Sequence, residues 1–444
     1  MAFTAPPSST SSTSSVTSSQ DERYTYYPMA LTVITTVFFM WGFLTCLNDI
    51  LIPHLKAVFQ LNYAQAMLVQ LTFFGVFFLM SLPAGRLVAH LGYKKGIVAG
   101  LIIAAIGAIG FWPAAGMRLY PAFLAALFVL ATGITVLQVA ANPYVALLGP
   151  EKTSSSRLTL AQALNSLGTT IAPWFGSLLI LSTKVKSASD IVQMSAHQQT
   201  LYRLQEAQSV QLPYIGLAVV LGLLAIFVWV FNLPALDEST EKADTSHHTL
   251  LDALRYRHVL FGVLGIFFYV GAEVSIGSFM VNYLSLPDIG HMSEQEAAHY
   301  VSLYWGGAMV GRFLGSWLLA RFSPRNLLAV FSAVNMLLLL TTMATSGNAA
   351  MYSIVAIGLF NSIMFPTIFS LGIERMGPLT GKASSLLIMA IVGGAVLPYL
   401  QGHLADGIGV QHAFVLPLLC YAYIVFYGLR GSYIRTAPVD AQHG

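Results

Sequence analysis

Long, uninterrupted apolar runs recur along the whole of this 444-residue chain. A stretch of about 18 or more apolar residues is long enough to cross a bilayer as a helix. Twelve such runs lie at roughly 29–52, 66–89, 96–115, 121–148, 157–182, 212–233, 259–285, 297–320, 326–346, 350–373, 383–405 and 411–434. The runs are continuous rather than short and alternating, which excludes a transmembrane barrel. The sequence therefore predicts an all-α membrane protein with twelve transmembrane helices.

Charged residues make up only 9% of the chain, and their distribution predicts its orientation. Basic residues concentrate in every second loop, for example at Lys94 and Lys95 and at Arg255 and Arg257. Loops rich in Lys and Arg lie on the cytoplasmic side of a membrane. Both termini are thus expected in the cytoplasm, and the basic clusters require no nucleic-acid partner.

A charged stretch at 234–256 separates six apolar runs from the next six. We expect the following segments: a disordered cytoplasmic tail at 1–28, an N-terminal six-helix bundle at 29–233, a cytoplasmic linker at 234–256, a C-terminal six-helix bundle at 257–435 and a cytoplasmic tail at 436–444. The polar segment at 183–211 is expected to be an external loop with helical character.

Short sequence blocks recur in the same order in the two halves. NPYVALLGPE (142–151) aligns with FPTIFSLGIE (365–374), NSLGTTIAPWFGSLL (165–179) with AIVGGAVLPYLQGHL (390–404), and FFMWG (38–42) with FFYVG (267–271). Every offset is close to half the chain length. The halves are therefore predicted to form a parallel structural repeat, which is typical of transporters built from two six-helix bundles.

One face of the first predicted helix carries polar groups inside an apolar run. Trp41, Thr45, Asn48 and Asp49 follow helical spacing. A carboxylate at the centre of a membrane helix costs roughly 2.5–3.5 kcal/mol to insert, so such residues usually face an ion or substrate path. An aromatic ring beside amide and carboxylate groups suits a sugar. We expect Trp41 and Asn48 to bind substrate and Asp49 to bind a coupling cation; the alternatives are a helix contact and an interfacial acid.

Two further helices carry amide stripes. Gln138 and Asn142 lie one turn apart on the fourth helix, and Gln162 and Asn165 lie on one face of the fifth. Neutral amides hydrogen-bond a polyol and offer no counterion to a charged substrate. We expect Asn142, Gln162 and Asn165 to bind substrate and the amide oxygen of Gln138 to assist cation coupling. Amides that hold helices together are the alternative.

The second half has its own intramembrane acid. Glu273 lies in the middle of the seventh run. It is expected to be a second cation-coupling site or an acceptor for sugar hydroxyls, and the alternative is a structural acid, protonated or paired with Arg312. Asn361 and Phe365, one turn apart just before Pro366, are expected to bind substrate.

The sequence lacks the arrangements that carry enzyme chemistry. It contains no phosphate-binding loop, no Ser–His–Asp arrangement and no metal-spaced cluster of ligands. Cys46 and Cys420 fall in different halves and are expected to be small buried residues without a disulfide. We expect a transporter rather than an enzyme, with no cofactor and no bound metal apart from a coupling Na⁺ at Asp49 if the ion is sodium.

Several motifs resemble one family of membrane transporters. WGFLTCLNDILIPHLK (41–56), VLQVAANPYVALLGPE (136–151), LTLAQALNSLG (158–168) and FPTIFSLGIERMGPLTGKASS (365–385) resemble the fucose–galactose–glucose/proton symporter family of the major facilitator superfamily. YVGAEVSIGSF (269–279) is most similar to its bacterial glucose/galactose transporter branch. The resemblance implies the major facilitator fold, with twelve helices in two six-helix halves.

The resemblance also implies roles for matching positions. Asp49 matches the family's cation-coupling aspartate, Trp41 a cavity aromatic, and Gln162 and Asn165 a polar pair in the sugar cavity. Gln138 stands where the fucose branch has a glutamate that is tied to proton movement. Asp49 is therefore expected to be the only acid of the N-terminal cavity.

Together these observations predict a monomeric, cation-coupled symporter in the bacterial inner membrane. It would import neutral hexoses such as glucose and galactose by alternating access, with the sugar between the two halves. A desolvated carboxylate exchanges a proton near neutral pH, and a carboxylate beside amide oxygens equally suits Na⁺, so the ion stays open. The alternative function is efflux of drugs or metabolites by an antiporter of the same fold.

Overall fold

The computed structural model describes residues 27–59, 63–117, 119–179, 194–234 and 249–434. The first half consists of α1 (Pro28–Phe59), α2 (Tyr63–Leu91), α3 (Tyr93–Met117), α4 (Tyr120–Leu147), α5 (Ser154–Leu179) and α6 (Ala196–Val230). The predicted N-terminal tail, most of the linker and the C-terminal tail lie outside the described residues.

The second half contains long helices and also shorter ones that follow one another within single predicted spans. These are α7 (Leu250–Arg255), α8 (Arg257–Leu284), α9 (Glu294–Leu319), α10 (Pro324–Ala344), α11 (Gly347–Asn361), α12 (Met364–Gly372), α13 (Thr380–Met389), α14 (Gly393–Ile408), α15 (Val410–Ala413) and α16 (Val415–Phe426). The described residues are thus almost entirely helical, and the all-α prediction is confirmed.

Nine stretches of the described chain are long and apolar enough to cross a membrane. They coincide with the predicted second, third, fourth, sixth, seventh and ninth to twelfth runs. The three other predicted runs coincide with α1, α5 and α9, which are helices of 26 residues or more. Polar residues such as Gln162 and Arg312 reduce the apolar character of α5 and α9. Of the two, Arg312 bonds Ser166 of α5 in the other half.

The helix α6 extends beyond the sixth apolar run. Its apolar part begins at Pro213, next to the predicted 212, whereas the helix itself begins at Ala196. Ser195 and Gln198 form a capping box: the Ser195 hydroxyl accepts from the Gln198 N–H, and the Gln198 side chain accepts from the Ser195 N–H. The helical character expected within 183–211 is confirmed from Ala196 onward, and residues 180–193 lie outside the described part.

Equivalent glycines bring equivalent helices together in the two halves. A Cβ on Gly168 of α5 would lie 2.2 Å from the Phe39 carbonyl oxygen of α1, and a Cβ on Gly393 of α14 would lie 2.0 Å from the Phe267 carbonyl oxygen of α8. Only glycine permits backbones to approach this closely. Gly168 and Gly393 are matched positions of the sequence repeat, so the repeat is realised as the same helix contact in each half.

Pro143 and Pro366 are matched by the repeat, but the helix continues through the first and is interrupted just before the second. Proline has no N–H for the carbonyl four residues earlier and its ring crowds that carbonyl. In the first half α4 continues through Pro143, and the Val139 carbonyl accepts the hydroxyl of Ser384, from α13 of the other half, at 3.1 Å. In the second half the helix ends at Asn361 and resumes as α12 just before Pro366.

Candidate functional site

Buried amides line the inner face of the first half. Gln138, Asn142 and Gln162 are 4%, 0% and 6% exposed. The helical spacing of α4 stacks Gln138 above Asn142, and the Gln162 amide nitrogen on α5 lies 3.5 Å from the Asn142 amide oxygen. The Asn142 amide nitrogen has no hydrogen-bond partner among the described residues. A buried polar group of this kind gains when a ligand bonds to it.

The structure describes the side chains of only some of the other predicted site residues in this half. Trp41 is buried against Phe38, with ring centroids 5.2 Å apart. Asn165 is half-buried and donates its amide to the Phe38 carbonyl at 2.9 Å, which ties α5 to α1. The backbone of Asn48 and Asp49 belongs to α1, while their side chains lie outside the described part.

The second half places an ion pair at the same interface. Glu273 of α8 lies 3.8 Å from a guanidinium nitrogen of Arg312 on α9, and both side chains are largely buried, with exposures of 12% and 14%. The Tyr269 hydroxyl donates to the Glu273 carboxylate at 2.8 Å. Sequence spacing on α8 explains this contact, because residues four apart share a helix face. The Glu273 charge is thus balanced within its own half, as in the paired alternative.

Arg312 also reaches across to the first half. Its guanidinium donates to the Ser166 hydroxyl of α5. The Arg312 Nε atom is buried and has no partner among the described residues. A charged group in an apolar interior is tolerated when it is paired and hydrogen-bonded. Arg312 is therefore a contact between the halves as well as the counterion of Glu273.

Asn361 and Phe365 lie on opposite sides of the break between α11 and α12. They therefore do not share one continuous helix face. Asn361 is fully buried, and its amide oxygen accepts from Tyr421 at 2.6 Å and from Asn335 at 2.8 Å. Phe365 is half-buried and stacks on Phe369, with ring centroids 6.1 Å apart. The structure thus surrounds Asn361 with protein partners.

Serine hydroxyls join the halves near one end of the molecule. The Ser155 and Ser370 hydroxyls lie 2.5 Å apart, and the Ser156 hydroxyl donates to the Ser316 carbonyl at 2.7 Å. We call Ser155, Ser156, Ser316 and Ser370 the serine contact. Sequence analysis missed it because an isolated serine in a helix usually bonds its own backbone and produces no distinctive pattern.

The sequence matches known transporters over most of its length. Residues 31–398 match the model of the Major Facilitator Superfamily. The chain is 53% identical to a glucose/galactose transporter of Brucella abortus over 91% of this chain and 95% of that protein. It is 45% identical to a putative glucose/galactose transporter of Helicobacter pylori over 91% of this chain and 97% of that protein.

Solved structures support the same conclusion. The crystal structure of an Escherichia coli fucose:proton symporter variant is similar with a TM-score of 0.84 and 36% identity, over 91% of this chain and 98% of that one. A structure of that transporter in the outward conformation has a TM-score of 0.82 and 35% identity, over 90% of this chain and 98% of that one.

Fold, repeat and interface define a multi-pass membrane transporter built from two bundles. The chain belongs to the fucose–galactose–glucose/proton symporter family of the major facilitator superfamily. It is a transporter and not an enzyme.

Proposed function

We propose that the chain is a cation-coupled symporter that imports neutral hexoses such as glucose or galactose. The observation that carries the proposal is the buried amide cluster of Gln138, Asn142 and Gln162, in which Gln162 and Asn142 are only 3.5 Å apart and an Asn142 N–H is unused by the described residues. Amides supply both donors and acceptors to sugar hydroxyls. The names of the Brucella and Helicobacter relatives support the same substrate class.

The charges support a neutral substrate. Glu273 and Arg312, the buried ion pair described above, face each other. A charged substrate would need a counterion that this pair does not leave free. In our proposal Trp41 packs against the sugar ring, while Asn48 and Asn165 add hydrogen bonds at the edge of the amide cluster.

Asp49 is proposed to carry the coupling cation, with the Gln138 amide oxygen as an additional ligand. An intramembrane carboxylate is expensive unless it serves an ion or substrate path. We propose that Glu273 does not carry the ion by itself, because Arg312 already offsets the charge of its carboxylate. Glu273 is instead affected by the ion electrostatically. The ion is H⁺ or Na⁺.

Alternating access requires that the halves separate at one end while they close at the other. The positive-inside rule puts the loops at Glu151 and Arg375 on the cytoplasmic side. The serine contact lies at this end, and Glu151 and Arg375 approach to 3.8 Å across it. We therefore propose that the structure is closed to the cytoplasm, with both termini on that side of the bacterial inner membrane.

Reconstitution into liposomes tests the function directly. Uptake of radiolabelled D-glucose, D-galactose and L-fucose would be measured with proton and sodium gradients imposed separately. We expect one of the two inward gradients to drive accumulation of D-glucose or D-galactose above the external concentration. Expulsion of preloaded compounds against the same gradients, without hexose accumulation, would instead identify an antiporter.

A further inference from the structure

The break in the tenth predicted span is the feature from which this inference starts. Regular helix ends at Asn361 and resumes at Met364, two residues before Pro366. Backbone carbonyls at the end of a helix lose their regular intrahelical partners and need others. The Asn361 carbonyl accepts the hydroxyl of Tyr269 at 3.0 Å. The helix break is thus bonded directly to α8.

The Asn361 side chain fixes this break to three other helices. Its amide oxygen accepts from Tyr421 of α16 and Asn335 of α10, and its amide nitrogen donates to the Tyr304 hydroxyl of α9 at 2.8 Å. With these bonds in place, Asn361 is held rigidly. A change at its carbonyl therefore acts on the following residues of α12 rather than on the Asn361 side chain.

Tyr269 has two acceptors for one hydrogen. Its hydroxyl lies 2.8 Å from the Glu273 carboxylate oxygen and 3.0 Å from the Asn361 carbonyl. A hydroxyl carries a single donor hydrogen, which can satisfy only one of the two acceptors fully. An ionised carboxylate is the stronger acceptor. The bond to Asn361 is therefore weakest when Glu273 is charged and free of other partners.

We propose that Tyr269 is a positioning residue that relays the charge state of Glu273 to the break between α11 and α12. When Glu273 takes a proton from a hydronium ion, which becomes water, the new O–H donates to the Tyr269 oxygen. The Tyr269 hydrogen then turns to the Asn361 carbonyl, so no proton is lost or gained by Tyr269. This proposal rests on the proposed symport function and describes how the same site is regulated.

The groups around Tyr269 determine when the relay acts. Arg312 and Tyr304 of α9 both contact Glu273, which lies on the same helix as Tyr269. Tyr421 of α16 bonds the Asn361 side chain. Arg312 competes with Tyr269 for the charged carboxylate. Arg312 is also bonded to Ser166 across the interface. Separation of the halves would therefore change which partner Glu273 keeps.

The relay is expected to affect α12 and, through it, the serine contact. This helix carries Ser370, whose hydroxyl lies 2.5 Å from that of Ser155 in the other half. Ser370 is 5% exposed in the closed arrangement. Tightening or loosening the break at Asn361 is thus expected to change how readily the serine contact opens.

The chain offers a matched control for the test. Tyr283 lies on the same helix, is fully buried, and donates its hydroxyl to the Thr342 carbonyl at 2.7 Å. Tyr283→Phe therefore removes the same kind of bond as Tyr269→Phe without touching Glu273. Similar thermal unfolding of the two full-length variants would show that any functional difference does not come from stability.

The readout is thiol labelling at the serine contact. The chain has two cysteines, so Cys46→Ser and Cys420→Ala with Ser370→Cys give one reporter. Its labelling by a membrane-impermeant maleimide would be followed in inside-out vesicles from pH 5.5 to 8.5. A maleimide reacts with the thiolate, so labelling of any cysteine becomes faster as the pH rises. Each rate is therefore divided by the rate of the same reporter in the unfolded protein at the same pH. We expect this normalised rate to depend on pH in the parent and in the Tyr283→Phe variant. We expect Tyr269→Phe to remove the pH dependence.

Transport gives a second readout. Tyr269→Phe should lower the maximal rate of D-galactose uptake about tenfold, the effect of one lost hydrogen bond to a charged group, with little change in KM. Two results would overturn the relay: a parent whose normalised labelling ignores pH, and a Tyr269→Phe protein that behaves like Tyr283→Phe. Failure of the proposed function is distinguishable, because it appears as absent hexose accumulation in the unaltered protein.

Discussion

The helix α4 and its counterpart α11–α12 carry matched prolines, yet only the second is broken. In α4 the carbonyl that Pro143 leaves free accepts a hydrogen bond from Ser384 of the other half. At the break, the Asn361 carbonyl accepts from Tyr269 of its own half. The first helix is thus completed by a contact that must break when the halves separate, and the second by a contact within one bundle.

The same contrast extends to the polar centres of the halves. Gln138 is the repeat counterpart of Asn361, and both are buried amides. The first half leaves an Asn142 N–H without a partner among the described residues, whereas Asn361 is bonded to three side chains. In the proposed function, the first half binds the sugar, and the second holds an ion pair and a helix break in place.

The largest expected effect comes from breaking the ion pair of the second half. Arg312→Gln or Glu273→Gln alone leaves one buried charge without its partner, which typically costs about 3–5 kcal/mol. We expect each variant to lose hexose uptake by roughly 100-fold or more and to unfold at a lower temperature.

The double variant Glu273→Gln with Arg312→Gln sharpens this prediction. It removes both charges, so folding and sugar binding should largely return while the pH dependence of transport does not. If the double variant is as unstable as either single one, the two residues do not act as a pair.

A smaller effect is expected from the amide cluster of the first half. Asn142→Ala removes a donor and an acceptor next to Gln162, and a hydrogen bond contributes about 0.5–1.5 kcal/mol. The KM for D-galactose should rise about tenfold with little change in thermal stability. Gln411→Ala is the control, because the Gln411 amide bonds the carbonyls of Thr342, Met343 and Thr345 away from the cluster. An equal KM change in both variants would remove Asn142 from the site.

Ser384→Ala tests the contact that completes α4. Loss of the bond to the Val139 carbonyl should favour opening at the serine contact by about fivefold, as expected for one neutral hydrogen bond. Labelling at Ser370→Cys reports this opening. Ser81→Ala is the control, since that buried hydroxyl bonds the Phe77 carbonyl of its own helix. Unchanged labelling in the Ser384→Ala variant would contradict a role of this bond in closure.

The smallest effect is expected from the ion pair between Glu151 and Arg375. Their side chains are 40% and 71% exposed, and exposed ion pairs contribute at most about 1 kcal/mol. Glu151→Gln should change uptake less than about twofold, and added salt should remove even that difference. An increase in labelling at Ser370→Cys as large as that of Ser384→Ala would show that this pair, rather than the serines, keeps the halves closed.

The sequence predicted the architecture well because hydrophobic runs and helical spacing are local properties. The apolar runs, the repeat and the shared helix face of Gln138 and Asn142 follow from residue type and spacing alone. The Glu273–Arg312 pair was one of four alternatives, since side chains on separate helices reveal no distance in the sequence. The break at Asn361 was hidden because the matched Pro143 does not break its helix, and only tertiary partners distinguish the two.

The central claim is that the first half binds the sugar, and one calorimetric comparison tests it. D-galactose would be titrated into detergent-solubilised protein carrying either Gln162→Ala or the neutral pair Glu273→Gln with Arg312→Gln. We predict that Gln162→Ala weakens binding about tenfold, as for one or two lost hydrogen bonds, while the neutral pair binds within about threefold of the unaltered protein. Retained affinity in Gln162→Ala together with lost affinity in the neutral pair would place the sugar on the second half and contradict the account.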